Sequence, residues 1–168
     1  KIGKAWRHGT FGRILREFIN TAGIAICRYE PKLRELHIPL DDADAVDISA
    51  HRLDFTVNVD GVFYGFDQSV CHVTRNDNLK DKLQRAAEDK RNHYSRPLSL
   101  VGMIFKPVLI SAIGFADKTL SDFVSFFMKK ALNHGLKLSP SLFYRKLSAS
   151  FVHHNGLQMA RCYYNIKI

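Results

Sequence analysis

The chain has few cysteines and no apolar run long enough to cross a membrane. Its three cysteines, Cys27, Cys71 and Cys162, lie far apart and form no C-x-x-C pair. This spacing argues against a disulfide scaffold and favours a reducing compartment. Together with the eight histidines, it offers no four-ligand zinc pattern. The longest apolar stretch, 98–116, is interrupted by a Lys-Pro pair, so no membrane span is predicted.

The sequence also shows no signal-peptide pattern, no internal repeat and no low-complexity linker. The 168 residues suit one domain, and 46% hydrophobic with 24% charged residues is ordinary globular usage. Because the sequence begins at Lys1 rather than Met, we expect a single domain over 1–168 taken from a longer polyprotein. The segments 1–7 and 156–168 are then its basic flanks.

Acidic residues are absent from the last forty positions, and this makes the charge uneven. Residues 129–168 carry seven basic side chains, and residues 1–17 carry five against one acid. The remaining middle has thirteen basic and fifteen acidic residues, within a net charge of +9. Two readings stay open: a solvated basic surface, or two basic walls around an acidic centre. The second would suit nucleic acid cleavage, which needs cations for the phosphate backbone and carboxylates for a metal.

Apolar periodicity predicts the order helix, strand, strand, strand, helix, strand, helix, helix. The pattern is typical of an α/β protein with a mixed central β-sheet flanked by helices. We expect helices over 11–23, 78–94, 117–133 and 139–154, a strand over 24–29, a hairpin over 53–70 and a buried central strand within 100–113. Residues 32–51 are predicted as a loop or weak strand with a solvated acidic run, and 156–168 as helix or strand.

The hairpin carries the first candidate site. Asp60-Gly61 is a strong type I′ turn signal between two alternating strands. Folding the strands about this turn brings Asp54 opposite a position near Asp67, with Cβ atoms roughly 5 Å apart. Two carboxylates that close repel unless a cation lies between them. The alternative is that both merely end their strands in solvent.

The next helix offers a cation for the same place. Lys90 and Tyr94 are four residues apart and therefore share one helix face. A lysine beside a two-carboxylate metal site can orient the attacking water or stabilise a pentavalent phosphate. Taken alone, Lys90 also fits an ordinary solvated helix face.

These motifs together resemble the restriction-like endonuclease domain of site-specific non-LTR retrotransposons, a branch of the PD-(D/E)XK nuclease superfamily. The family pattern is Arg/Lys-Pro-Asp, twelve to fourteen residues, Asp or Glu, then a helix with Lys-x-x-Lys/Arg-Tyr. This chain reads Arg52-Leu-Asp54, twelve residues, Asp67, then Lys90-Arg-Asn-His-Tyr94. Further matches are His8 before the first helix, Gly23, Glu30-Pro31, Phe105-Lys-Pro107, Gly114, the segment 145–150 and Arg161-Cys162.

The resemblance implies a restriction-endonuclease-like fold and a Mg²⁺-dependent DNA endonuclease, with Mn²⁺ as a substitute. Asp54, Asp67 and Lys90 are its expected catalytic residues, and Asp54, Asp67 and the carbonyl of Gln68 its metal ligands. Glu17, Glu30, Ser69 and Tyr94 are expected to support them. The expected DNA contacts are Lys4, Arg7, His8, Arg52, Arg91, Lys129, Lys130, Arg145, Lys146 and Arg161.

The expected partners are a double-stranded DNA target and the reverse transcriptase of the same polypeptide, which the nick would prime. The expected location is intracellular, and nuclear in a eukaryote. The chain departs from the pattern at three positions. Leu53 replaces proline, Ser69 stands where the superfamily lysine would be, and His93 fills the second basic position of the helix. Two alternatives stay open: a nucleic-acid-binding module without cleavage, and a branched-DNA resolvase.

Overall fold

The protein is described here by a computed structural model that covers residues 2–36, 51–72 and 78–164, with side chains for 8–36, 51–72 and 78–155. The elements are α1 (Ile2–Thr21), β1 (Ile26–Tyr29), a 3₁₀ turn (Leu33–Leu36), β2 (Phe55–Val59), β3 (Val62–Cys71), α2 (Leu79–Ser99), β4 (Met103–Ser111), α3 (Lys118–Asn133) and α4 (Pro140–Tyr164). The predicted order of helices and strands is confirmed. The predicted acidic run within 32–51 lies outside the described residues.

The four strands form one mixed sheet in the order β1-β2-β3-β4, which confirms the α/β class. β1, β2 and β3 pair antiparallel, whereas β3 and β4 pair parallel. A parallel pair needs a crossover connection, and α2 supplies it. Among the helices of the described residues, none has the length and apolar character needed to span a bilayer.

β4 corrects one prediction, because it is the last strand of the described sheet rather than a central one. Its apolar sequence has another cause: α2 covers one face of the strand, and α1, α3 and α4 pack on the other. Pro107 can occupy this position because an outer strand does not need every amide for the ladder.

The hairpin register is confirmed. Phe55 pairs with Phe66 and Val59 with Val62. Asp60 and Gly61 have φ angles of +54° and +81°, as a type I′ turn requires at both central positions. β3 is ten residues long and β2 only five. Residues 67–71 of β3 therefore extend past the start of β2, and Asp54 lies where the two strands part.

Side chains alternate across the sheet and bury apolar clusters on both of its faces. Phe55, Phe66 and Val108 face α1, α3 and α4, whereas Leu53, Met103 and Leu109 face α2. Each such side chain contributes about 1.5–3 kcal/mol when fully buried. The pleat also puts Asp67, one position from Phe66, on the α2 face.

Three helices are longer than the sequence predicts. α1 begins at Ile2 rather than Phe11, α2 continues past Tyr94 to Ser99, and α4 runs through the undecided tail to Tyr164. Gly23, with φ of +74°, ends the α1 region as expected. In α3, Ala131 rather than the predicted Leu132 is buried.

The described parts of the two basic segments lie beside each other. α1 and α4 pack on each other, with the rings of Phe18 and Phe143 4.7 Å apart. Lys146 of α4 also reaches Glu17 of α1 at 3.5 Å. Where they are described, α1 and α4 are therefore neighbours on one face of the sheet, opposite α2.

Candidate functional site

The site lies where β2 and β3 separate. The amide of Asp54 donates to the carbonyl of Phe66 at 2.9 Å, which is the last backbone bond of that ladder. Beyond it the amide of Gln68 has no strand partner on the β2 side and donates instead to Oδ2 of Asp54. Buried backbone groups have to be paired. The end of the ladder thus explains why the Asp54 carboxylate turns into the protein.

The two predicted carboxylates come together there. Their side chains are 16% (Asp54) and 12% (Asp67) exposed. Burial raises the pKa of Asp54 to about 7; the amide of Gln68 opposes this shift, and the charge and hydrogen bonding of Asp67 add to it. Burial also raises the pKa of Tyr94, with a further increase from both carboxylates. The pair is therefore a buried, mutually repelling site rather than two solvated strand ends.

Lys90 reaches the pair from α2 and forms an ion pair with Oδ2 of Asp67. Its side chain is only 20% exposed, so it is not an ordinary solvated lysine. Tyr94, one turn later, fixes the helix by stacking on Phe105 at 4.9 Å and donating its hydroxyl to the carbonyl of Arg52 at 3.1 Å. Arg91 is exposed and lines a groove with Phe105 and Thr119.

His8 completes this corner. It belongs to α1 rather than to a segment before the first helix. Its Nε2 lies 3.3 Å from the carbonyl oxygen of Gln68 and 3.6 Å from Oδ1 of Asp54. The sequence predicted His8 as a DNA contact and as a match to the family pattern, but not as a neighbour of the carboxylates. Its place beside the carboxylates depends on the packing of α1 across β3, which no local pattern reveals.

A pair of histidines was missed altogether. Nε2 of His93 lies 2.9 Å from Nε2 of His51, and both rings contact Tyr94. One imidazole donates a hydrogen bond to the other. His93, which fills the second basic position of the helix motif, is therefore paired with His51. The two residues are 42 positions apart, and His51 lies in a segment without periodicity.

The expected supporting residues have different places. Glu17 forms ion pairs with Arg13 at 2.6 Å and Lys146 at 3.5 Å, so its carboxylate is directed toward α4. Glu30 contributes through its backbone amide, which donates to the carbonyl of Asp54 at 3.0 Å. Ser69 is half-buried, two residues beyond Asp67 on the same side of β3.

The predicted DNA contacts differ in exposure and in pairing. Arg91, Lys129 and Arg145 are exposed, and so is Arg52, whose Nη1 lies 3.9 Å from Oε2 of Glu30. Lys130 is bound to Asp60 of the hairpin turn at 2.7 Å, and Lys146 is engaged by Glu17. The side chains of Lys4, Arg7 and Arg161 lie outside the described residues.

The donor chemistry fits a divalent cation. Asp54 and Asp67 offer carboxylate oxygens and Gln68 a peptide oxygen, which are the ligands that Mg²⁺ prefers. A cation between the carboxylates would relieve the repulsion that helps to raise the pKa of Asp54. Asp67 is turned to Lys90, and within the described ranges no three His, Cys, Asp or Glu side chains converge as a ready metal site.

No protein-family model matches this chain, and no curated protein matches it.

Proposed function

We propose that this chain is a metal-dependent DNA endonuclease with a restriction-endonuclease-like fold that nicks double-stranded DNA. The observation that carries the proposal is the meeting of Asp54, Asp67 and Lys90 at one buried corner. These residues come from a strand end, a neighbouring strand and a helix. A structural ion pair needs only one carboxylate for the lysine. The second buried carboxylate, kept close to the first at an energetic cost, supports a functional site.

Asp54, Asp67 and the carbonyl of Gln68 would hold Mg²⁺ or Mn²⁺. When bound, the cation supplies a Lewis acid that activates water and offsets charge on the scissile phosphate. Lys90 would orient the attacking water or stabilise negative charge on the phosphate, since its ammonium group already lies at the carboxylates. Exposed cations such as Arg52 and Arg145 would hold the DNA backbone without reading its sequence.

In a retrotransposon, such a nick would prime reverse transcription of the element at its target. The reverse transcriptase would then lie on the same polypeptide as this domain. That assignment, with an intracellular and in eukaryotes nuclear location, rests on the resemblance of Arg52-Leu-Asp54, Asp67 and the α2 motif. A branched-DNA resolvase would use the same residues and differ in the shape of its substrate.

One observation favours a second candidate, a nucleic-acid-binding module without cleavage. The ion pair between Lys90 and Asp67 neutralises one carboxylate without a metal. The burial of Asp54 favours its uncharged form. Because the charges of both carboxylates are compensated without a metal, the same arrangement could be retained in a protein that no longer cleaves DNA.

Nicking of supercoiled plasmid separates the two candidates. The wild type should convert plasmid to the nicked form with Mg²⁺ or Mn²⁺, and Asp54→Asn or Asp67→Asn should abolish conversion while preserving folding and DNA binding. Asp89→Asn, which changes an exposed carboxylate on α2, is the matched control and should cleave normally. A wild type inactive with both metals would favour the binding module. Near-normal nicking by either site variant would contradict the site assignment.

A further inference from the structure

α1 brings an imidazole to two of the three groups proposed above as metal ligands. Nε2 of His8 lies 3.3 Å from the Gln68 carbonyl oxygen and 3.6 Å from Oδ1 of Asp54. Ligands at right angles on a cation, each about 2.1 Å from it, are about 3.0 Å apart. The distances from Nε2 of His8 to the Gln68 carbonyl oxygen and to Oδ1 of Asp54 are therefore close to those expected between neighbouring ligands of one cation.

The position of His8 is fixed by the fold. Nε2 of Gln68 donates to the backbone carbonyl of His8 at 3.2 Å, while the imidazole of His8 faces the backbone carbonyl of Gln68. The Gln68 side chain is buried against α1 in space left by Gly12, where a Cβ atom would come within 2.3 Å of its amide nitrogen. The residue that offers the peptide oxygen thus also holds the helical turn that carries the imidazole.

The exposure of these groups leaves the corner open on one side. The side chain of His8 is 44% exposed, whereas both carboxylates are largely buried. Nε2–H of His8 donates a hydrogen bond to the peptide oxygen of Gln68, and a bound cation would take the place of that proton. The approach of this nitrogen to both oxygens is what a shared ligand position requires.

We propose that His8 is a ligand of the divalent cation, together with Asp54 and the carbonyl of Gln68. The inference rests on the proposed metal site and deepens it. A site that adds an imidazole nitrogen to oxygen ligands favours Mn²⁺ and later first-row ions over Mg²⁺, which prefers oxygen alone. The sequence-based expectation of Mg²⁺ with Mn²⁺ as substitute then changes to a preference for Mn²⁺.

Pulsed EPR of Mn²⁺ bound to the 168-residue chain tests this inference without measuring activity. The wild type should show a nitrogen hyperfine coupling to Mn²⁺ that changes when histidine is labelled with ¹⁵N. His8→Gln should lose the coupling and bind Mn²⁺ at least about 10-fold more weakly, a loss of the size known for disrupted metal sites. Its affinity for Mg²⁺ should fall less. His8→Ala, which retains helix propensity, repeats the test without a side chain that can bind.

His153→Gln is the matched control, because His153 is also an exposed helical histidine. It should keep the coupling and the Mn²⁺ affinity of the wild type. Mn²⁺ bound without a nitrogen coupling, but released by Asp54→Asn, would overturn the role of His8 and leave the proposed metal site standing. A coupling that persists in His8→Gln would also overturn it. Failure of the wild type to bind Mn²⁺ would overturn both the inference and the proposed function.

Discussion

The environment of Asp54 differs strongly from that of a surface carboxylate. Its folded pKa of about 7 means that the protonated side chain fits the metal-free fold better than the charged one. Asp54 therefore makes its full contribution to the free energy of unfolding below its ordinary pKa of 3.8. This contribution is lost as the pH rises through the folded pKa of about 7.

We expect Asp54→Asn to become more stable relative to the wild type as the pH rises. An asparagine resembles the protonated acid and can still accept the Gln68 amide. In metal-free buffer the two proteins should differ little near pH 4. By pH 8 the variant should be favoured by at least about 1 kcal/mol, or about 2–4 °C in Tm. Thermal melts at several pH values measure this, with Asp89→Asn as control. Parallel stability curves for Asp54→Asn and the wild type would contradict the burial account.

Single residues also mark the limit of sequence reasoning. The partnership of Asp54 and Asp67 could be predicted because a two-residue turn fixes the register of both strands. The direction of Lys90 toward the two carboxylates could be predicted because Tyr94 lies one helical turn away on the same face. The neighbours of His8 and of His51 could not be predicted, since each residue meets its partner through contacts between distant segments.

At the scale of elements, the packing of α1 on β3 decides the shape of the site. Glycine inside a helix ordinarily costs about 1 kcal/mol relative to alanine. Gly12 is retained in α1 where the buried amide of Gln68 fills the space of a side chain.

Gly12→Ala is therefore expected to destabilise the protein by about 1 kcal/mol, against its helix propensity, because the Gln68 amide has to leave its place. In a Gln68→Ala background the same substitution should be stabilising, since the obstacle is gone. Urea unfolding of the four proteins in this double-mutant cycle gives the coupling. If Gly12→Ala stabilises the wild type, the close approach of α1 to β3 is not as described.

The lengths and positions of elements were predicted less well than their order. β4 has the continuous apolar sequence of a central strand because helices cover both of its faces, and that pattern does not tell where a strand lies in a sheet. α4 continues beyond His154 although no clear amphipathic pattern extends through its sequence.

At the scale of the whole molecule, the excess positive charge of the sequence lies in residues 1–17 and 129–168. α1 and α4, which belong to these segments, pack on each other and carry the exposed cations Arg13 and Arg145, and we call this surface the basic face. His8, on α1, stands at the boundary between the basic face and the carboxylates. A duplex held by the basic face could thus present a phosphate to the corner.

Binding to duplex DNA should fall steeply with salt, with a log–log slope that corresponds to several phosphate contacts. Arg145→Ala should reduce the slope by about one contact, because this side chain is exposed. Lys130→Ala should change it less, since Asp60 already binds that ammonium group. Fluorescence anisotropy over a salt series measures both. An affinity for DNA that does not vary with salt would contradict the proposal that this protein binds nucleic acid.

The most direct test of the central claim compares two adjacent positions on α2. Lys90 meets Asp67, whereas Arg91 is turned about 100° around the helix. In single-turnover plasmid cleavage, Lys90→Ala should lower the rate by roughly 10²-fold or more with little change in DNA affinity. Arg91→Ala should lower it far less. Equal, modest losses in the two variants would show that Lys90 is only one of many basic side chains, and would contradict a catalytic corner built from Asp54, Asp67 and Lys90.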